Sequence, residues 1–368
     1  MKTLKQIIAG TLVAGALAIG NLGCELNPQP EELQQIPDAS SQGKIFFVED
    51  NEEEVGNQDR IYNSSVDLWS ANADGSNLKQ LWDGLDYQER IKISPDGNYL
   101  TFAKSDRNMG HVIMDLEGRV IKEFTGSNRS GADFRWTPDS KTILFSGYAS
   151  GQGIYRYDLD GDVVTHLFVT RGYKYDHSPT ISPNLDKIVF THHEYGSQYW
   201  IYLMGPFGEN PQLLTRGEGS QADEDFNYFW LDNDNLLFKI GSKRNLYFAN
   251  TLTKEVREVP TGIDVTFNEM SISPDRTRIA LYGYGQVHFA DFQELLSGKM
   301  NFSTEYFSSL SGCSSWSKDS DYFILGSASF HENDAFKIFD RNLKEYKFID
   351  DKDFPEKLGN IGSLEWVN

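Results

Sequence analysis

Histidines with carboxylate neighbours are the first residues in this sequence that could do chemistry. Tyr173-Lys174-Tyr175-Asp176-His177 gathers a cation, two phenols, a carboxylate and an imidazole in one short run. His192-His193-Glu194-Tyr195 and His331-Glu332-Asn333-Asp334 have a similar make-up. Imidazole and carboxylate together can hold a divalent metal or orient a polar ligand. Adjacent strand residues point to opposite faces, so His192 and His193 make a poor metal pair. His177 is the better single candidate, with a plain hydrogen-bonding role at a strand start as the alternative. The acidic run containing Glu218, Asp223, Glu224 and Asp225 could hold Ca²⁺, or be a solvated loop. Asp158-Leu159-Asp160-Gly161-Asp162 lacks EF-hand spacing and reads as a hairpin turn. Neither a G-x-S-x-G elbow nor an H-E-x-x-H helix motif occurs. No cofactor is expected beyond such a divalent metal.

These residues are positioned by a repeat. Ile93-Ser94-Pro95-Asp96-Gly97-Asn98-Tyr99-Leu100-Thr101-Phe102 reads as strand, tight turn, strand. Pro95 fixes φ, Asp96-Gly97 supplies the turn, and Leu100 and Phe102 restart a period-2 strand. The phrase recurs at Thr137-Pro138-Asp139-Ser140, Ser182-Pro183-Asn184-Leu185, Leu231-Asp232-Asn233-Asp234, Ser273-Pro274-Asp275-Arg276 and Ser317-Lys318-Asp319-Ser320. Successive copies lie 43, 45, 49, 42 and 44 residues apart, and each leads into an apolar strand such as Ile143-Leu144-Phe145. A second hairpin follows, as in Ile154-Tyr155-Arg156-Tyr157-Asp158-Leu159-Asp160-Gly161. A period in this range indicates a solenoid or propeller. Four short antiparallel strands, A to D, per period make one propeller blade. An aromatic content of 13% and 32 glycines suit many short strands joined by tight turns.

The ends of the repeat complement each other. Gly43-Lys44-Ile45-Phe46-Phe47 matches strand B with no strand A before it. Leu364-Glu365-Trp366-Val367-Asn368 matches strand A with no strand B after it. Residues 362–368 are therefore expected to pair with the first blade, closing an all-β, seven-bladed propeller of four-stranded antiparallel blades and removing two sheet edges. The A–B and C–D turns share one face, and the longer B–C and D–A connections share the other, where ligands are expected around the channel mouth. That rim would carry Arg129, Asp133, Lys174, Tyr175, Asp176, His177, His193, Glu194, Asp223, Glu224 and Asp225, with Asn227, Asn268, Glu269 and His331. The alternative is that such loops are simply polar.

The Ser-Pro-Asp-Gly turn, the Trp or Ile before it and the apolar strand after it resemble the propeller repeat of TolB-like periplasmic proteins. The same repeat occurs in the propellers of prolyl-oligopeptidase-type peptidases, and the resemblance spans nearly all of residues 43–368. It implies the fold more than a function, since unrelated activities share this scaffold. No room remains in the chain for an α/β catalytic domain, so peptidase activity is not expected. Seven-bladed oligogalacturonide lyases are the enzymatic alternative. Their metal site uses a Gln and closely spaced His residues in a late blade, whereas here His288 and His331 lie far apart.

The N-terminus reads as an export signal. Lys2 and Lys5 precede an apolar run from Ile7 to Ile19, and Leu22-Gly23-Cys24 follows. The segment resembles a bacterial lipoprotein signal, with Cys24 as the lipidated residue. Asn21 stands where such signals usually carry Leu, so ordinary cleavage near Gly20 or Gly23 is the alternative. The run is too short for a spanning helix. The expected organisation is a signal peptide over 1–23, a polar, Pro-containing tether over 24–42 and the propeller over 43–368. Only one other cysteine exists, Cys313, expected to be buried and unpaired. A net charge of −20 argues against a nucleic-acid partner. The expectation is an exported, lipid-anchored, non-enzymatic module binding a protein or envelope ligand, with a saccharide-binding protein or metal-using lyase as the alternative.

Overall fold

The computed structural model describes residues 43–51, 65–85, 91–104, 110–125, 134–147, 152–169, 175–194, 198–218, 227–240, 244–264, 267, 269–283, 285–299, 301–306, 311–327, 336–346 and 360–367. All belong to the second of two compact units, residues 35–368. Within it the strands run in sequence around a ring of seven blades.

Blade 1 holds β1 (Lys44–Asn51), β2 (Ser65–Asn72) and β3 (Lys79–Leu85). Blade 2 holds β4 (Lys92–Ile93), β5 (Tyr99–Lys104), β6 (Gly110–Asp115) and β7 (Val120–Thr125). In blade 3 are β8 (Phe134–Trp136), β9 (Thr142–Gly147), β10 (Gly153–Asp158) and β11 (Val163–Val169). Blade 4 is built from β12 (Tyr175–Ile181), β13 (Ile188–Glu194), β14 (Gln198–Met204) and β15 (Gln212–Glu218). Next come β16 (Tyr228–Trp230), β17 (Asn235–Lys239), β18 (Leu246–Asn250) and β19 (Val256–Val259) of blade 5. Blade 6 has β20 (Glu269–Ile272), β21 (Arg278–Gly283), β22 (Gln286–Asp291) and β23 (Ser303–Tyr306). A short helix α1 (Phe292–Leu296), capped by the Asp291 side chain, precedes β23 and buries Phe292 and Leu295. Blade 7 comprises β24 (Ser311–Trp316), β25 (Tyr322–Ser327), β26 (Phe336–Asp340) and β27 (Glu345–Tyr346).

The last strand, β28 (Asn360–Val367), pairs antiparallel with β1, from Lys44↔Val367 to Asp50↔Asn360. The closure expected from the complementary termini is therefore the one observed. Ser315 Oγ of blade 7 accepts the Trp366 N–H at 3.0 Å, so the closing strand is also tied to the previous blade. Gly326 permits this approach, because a Cβ there would meet Cys313 Sγ and Ile361 Cγ2 at 2.7 Å.

The apolar side chains gather between blades. Among the described residues seven clusters of buried side chains occur, one at each junction of neighbouring blades. Ile113, Phe134, Trp136, Phe145 and Tyr155, for example, join blades 2 and 3. Each fully buried large apolar side chain contributes about 1.5–3 kcal/mol, so the ring is held mainly by these contacts.

The recurring turn is hydrogen-bond chemistry. Asp96 Oδ1 accepts the Ser94 hydroxyl at 2.6 Å and the Asn98 N–H at 3.1 Å, while Ser94 Oγ accepts the Tyr99 N–H at 2.9 Å. Thr137/Asp139, Ser273/Asp275 and Ser317/Asp319 repeat the pattern. Blade 5 departs from it. There the turn is one residue tighter, with Leu231 N–H on Asn235 O, and Asp232, not Asn233, accepts the turn N–H groups. Arg341 from the β26–β27 turn reaches Asp275 of the β20–β21 turn at 2.9 Å, so both turn families share one face as expected.

Candidate functional site

Blade 4 holds His177, His192 and His193. Asp176 and His192 are cross-strand partners on β12 and β13. His192 Nδ1 lies 2.6 Å from Asp176 Oδ1, with both side chains buried. The rings of Trp200 and Tyr202 pack against His192 at 5.6 and 5.8 Å. On the opposite sheet face the rings of His177 and His193 are 5.6 Å apart, and His177 Nδ1 is 3.3 Å from Ser178 Oγ. His192 and His193 thus separate to the two faces, as strand periodicity requires. Among the described residues no group of three or more His, Cys, Asp or Glu could hold a metal ion.

Cys24, Arg129, Asp133, Lys174, Asp223, Glu224, Asp225, Asn268 and His331 lie outside the described residues. Tyr175 and Glu194 are placed on β12 and β13 by backbone only. Glu269 and Asn227 are fully described, and both belong to a different place, the channel at the centre of the ring.

There the inner strands of six blades line a cavity of about 320 Å³, near the lower end of the range for small-molecule sites. Its charged and polar groups come in two tiers, set by the repeat. Lys92, Arg135, Ser271, Ser315 and Glu365 each stand two residues before the turn position (Ser94, Thr137, Ser273, Ser317, Val367). Asn227, Glu269 and Cys313 stand two residues earlier still, about 6–7 Å further from the turn face.

The charges differ in what meets them. Lys92 Nζ contacts Glu365 Oε1 at 2.5 Å, a half-buried ion pair joining β4 to the closing strand. Glu269 Oε2 accepts the Tyr282 hydroxyl at 2.5 Å. Burial and the Glu269 carboxylate push the Tyr282 phenol well above its ordinary range, so it remains a donor. Burial, with Glu269 adding to it, also raises the Cys313 thiol, and an un-ionised thiol is a poor nucleophile. Arg135 has no carboxylate or other partner among the described residues. The indole N–H of Trp316 and the Asn227 side-chain N–H₂ likewise find no acceptor there. Among the described residues the cavity therefore presents surplus donors, where a buried polar group without a partner costs about 1–3 kcal/mol.

Lys92, Arg135 and Glu365 were not apparent among the loop residues, because they read as ordinary inner-strand positions. Setting the repeats in register would expose them, since the column two places before the turn residue reads Lys92, Arg135, Thr180, Phe229, Ser271, Ser315 and Glu365.

No protein-family model matches the chain. Solved structures of similar fold include a putative 6-phosphogluconolactonase from Bacteroides fragilis, at 12% identity and TM-score 0.57, covering 90% of this chain and 100% of that one. An oligogalacturonate lyase in complex with manganese is similar at 10% identity and TM-score 0.55, over 83% of this chain and 85% of that one. TolB from Acinetobacter baumannii, whose family the turn motif resembles, is similar at 19% identity and TM-score 0.48 over 75% of this chain. The chain spans 66% of that TolB's length. At such identities the likeness is one of fold, and what this protein has in common with these structures is the β-propeller.

Proposed function

We propose that this chain is an exported envelope protein, anchored by lipid on Cys24, whose propeller binds a ligand at its channel without transforming it. The observation that carries this reading is the donor surplus of the channel, where Arg135, Trp316 and Asn227 have no acceptor among the described residues. A preformed polar cavity at the axis of a closed ring is a binding site that requires no moving parts. The neighbouring thiol is held un-ionised and the neighbouring phenol protonated, which suits recognition better than nucleophilic chemistry. The leader and the polar segment after it supply export and a tether in this reading.

Equilibrium dialysis of the purified protein against envelope extract, followed by mass spectrometry of retained small molecules, tests the binding. A ligand recovered unaltered supports the proposal. A ligand recovered chemically converted favours an enzyme, and an empty protein removes the binding reading. Separately, Cys24→Ser is expected to move the protein from the membrane to the soluble fraction, and unchanged fractionation would remove the anchor.

A further inference from the structure

The channel's chemistry narrows what could fill it. In the tier nearer the turn face, Arg135 of blade 3 offers a planar fork of N–H donors with no carboxylate to meet it among the described residues. Lys92 stands at the equivalent place in blade 2 and has Glu365 for a partner at 2.5 Å. Only one of its three N–H bonds is needed there, leaving further donors. In the tier nearer the loop face, Glu269 of blade 6 comes from nearly opposite Arg135 in a ring of seven. One oxygen of its carboxylate takes the Tyr282 hydroxyl, and a carboxylate can accept several hydrogen bonds. Trp316 lines the same cavity, buried, with an indole N–H that has no acceptor among the described residues.

A guanidinium fork fits a carboxylate bidentately, better than it fits a hydroxyl or a carbonyl. A carboxylate acceptor across the cavity fits hydroxyl or ammonium donors. The two tiers are about 6–7 Å apart along the axis, a spacing that one sugar ring or a short carbon chain can bridge.

We propose that the channel binds a small carboxylate ligand, its carboxylate on Arg135 and its hydroxyl or amino donors on Glu269. The proposal rests on the binding reading above and adds the ligand's chemical class. Sugar acids and amino acids both have this chemistry, and the test separates them.

The full chain is titrated calorimetrically with glucuronate, glucose and serine at up to ~10 mM. Binding of glucuronate or serine, with glucose at least about tenfold weaker, is the expected result. Glucuronate above serine identifies a sugar acid, and the reverse identifies an amino acid. Arg135→Gln should weaken the preferred carboxylate about tenfold or more, and Arg135→Lys, which keeps the charge but not the fork, by less. Glu269→Gln should weaken the ligand's donor end and provides a second variant should Arg135→Gln unfold. Lys122→Gln, on the outer strand β7, should leave binding unchanged. Glucose binding as tightly as glucuronate, or Arg135→Gln and Glu269→Gln both binding with unaltered affinity, overturns the carboxylate assignment while ligand binding itself stands. Binding of neither carboxylate also overturns it. The extract dialysis then reads the wider proposal independently.

Discussion

Lys92 and Arg135 hold the same position in successive repeats, yet among the described residues one charge is matched and the other is not. The difference lies in the closing strand, which brings Glu365 against Lys92. Asp96 shows the opposite case, a carboxylate that belongs to a turn. Burial alone would raise its pKa, but hydrogen bonds from Ser94, Asn98 and Ser140 outweigh this and hold it low. His111 is fully buried beside Phe134 and Phe145, and burial lowers its pKa to about 3. Its contribution to stability is present above the ordinary histidine pKa of about 6.5, where both folded and unfolded chains carry it neutral. Between about 6.5 and 3 only the unfolded chain takes up the proton, so stability falls as pH falls. This residue alone should cost about 2 kcal/mol between pH 7 and pH 5. Burial shifts His288 the same way. Urea midpoints at the two pH values check this, with His111→Phe expected to lose about 2 kcal/mol less over the interval than the parent.

At the level of the turn, one position repeatedly takes a left-handed backbone. Gly97, Ser140, Leu185, Arg276 and Ser320 have φ of 75°, 58°, 64°, 60° and 67°. Glycine adopts this readily, whereas other residues pay about 1 kcal/mol. Each non-glycine side chain compensates by reaching the preceding blade. Ser140 Oγ accepts the Asp96 N–H and Ser320 Oγ accepts the Asp275 N–H, both at 2.9 Å. Arg276 donates to the Leu231 carbonyl, and Leu185 packs into the cluster between blades 3 and 4. Gly97 needs no such compensation, and a Cβ there would only touch the closing strand at ordinary contact distance, 3.5 Å from Val367 Cγ1. Ser140→Ala keeps the strained φ and loses the bond, so it should lower stability by about 1 kcal/mol. Ser140→Gly loses the bond but relieves the strain, and should come out close to the parent. Chemical denaturation of the pair separates the two terms, and equal losses in both variants would show that the backbone carries no strain there.

The whole ring depends on β28. Ile361, Leu364, Trp366 and Val367 are all buried, and at about 1.5–3 kcal/mol each their removal would cost at least about 6 kcal/mol. That is comparable to the total stability of an ordinary domain, about 5–15 kcal/mol. Deleting 360–368 would also bare the edge of β1, a template for strand pairing between chains. The truncated protein is expected to melt much lower and to associate. Light scattering and thermal melts check both, and a monomer with unchanged melting would mean the ring closes without this strand.

Much of the architecture was legible because its signals are local. A Ser-Pro-Asp turn and the apolar strand after it lie within ten residues of each other, and their recurrence needs only counting. Closure was legible too, since the strand missing at one end is present at the other. The tighter turn of blade 5 was not, because Leu231-Asp232-Asn233-Asp234 offers three turn-forming side chains, and only the backbone register selects Asp232. The polar loops drew attention to His177 and its neighbours, and the structure adds their side-chain partners. Asp176 is bonded to His192 across the strand pair, and the His177 and His193 rings lie tilted against each other. The channel was beyond the sequence read as a line. Arg135 and Glu269 are over a hundred residues apart and look like ordinary strand residues. Only closure of the ring brings inner strands from six blades to one axis and leaves some donors matched and others, among the described residues, without an acceptor. Hydrogen bonding along the chain determined the blades, and the meeting of distant strands decided what their shared interior can bind.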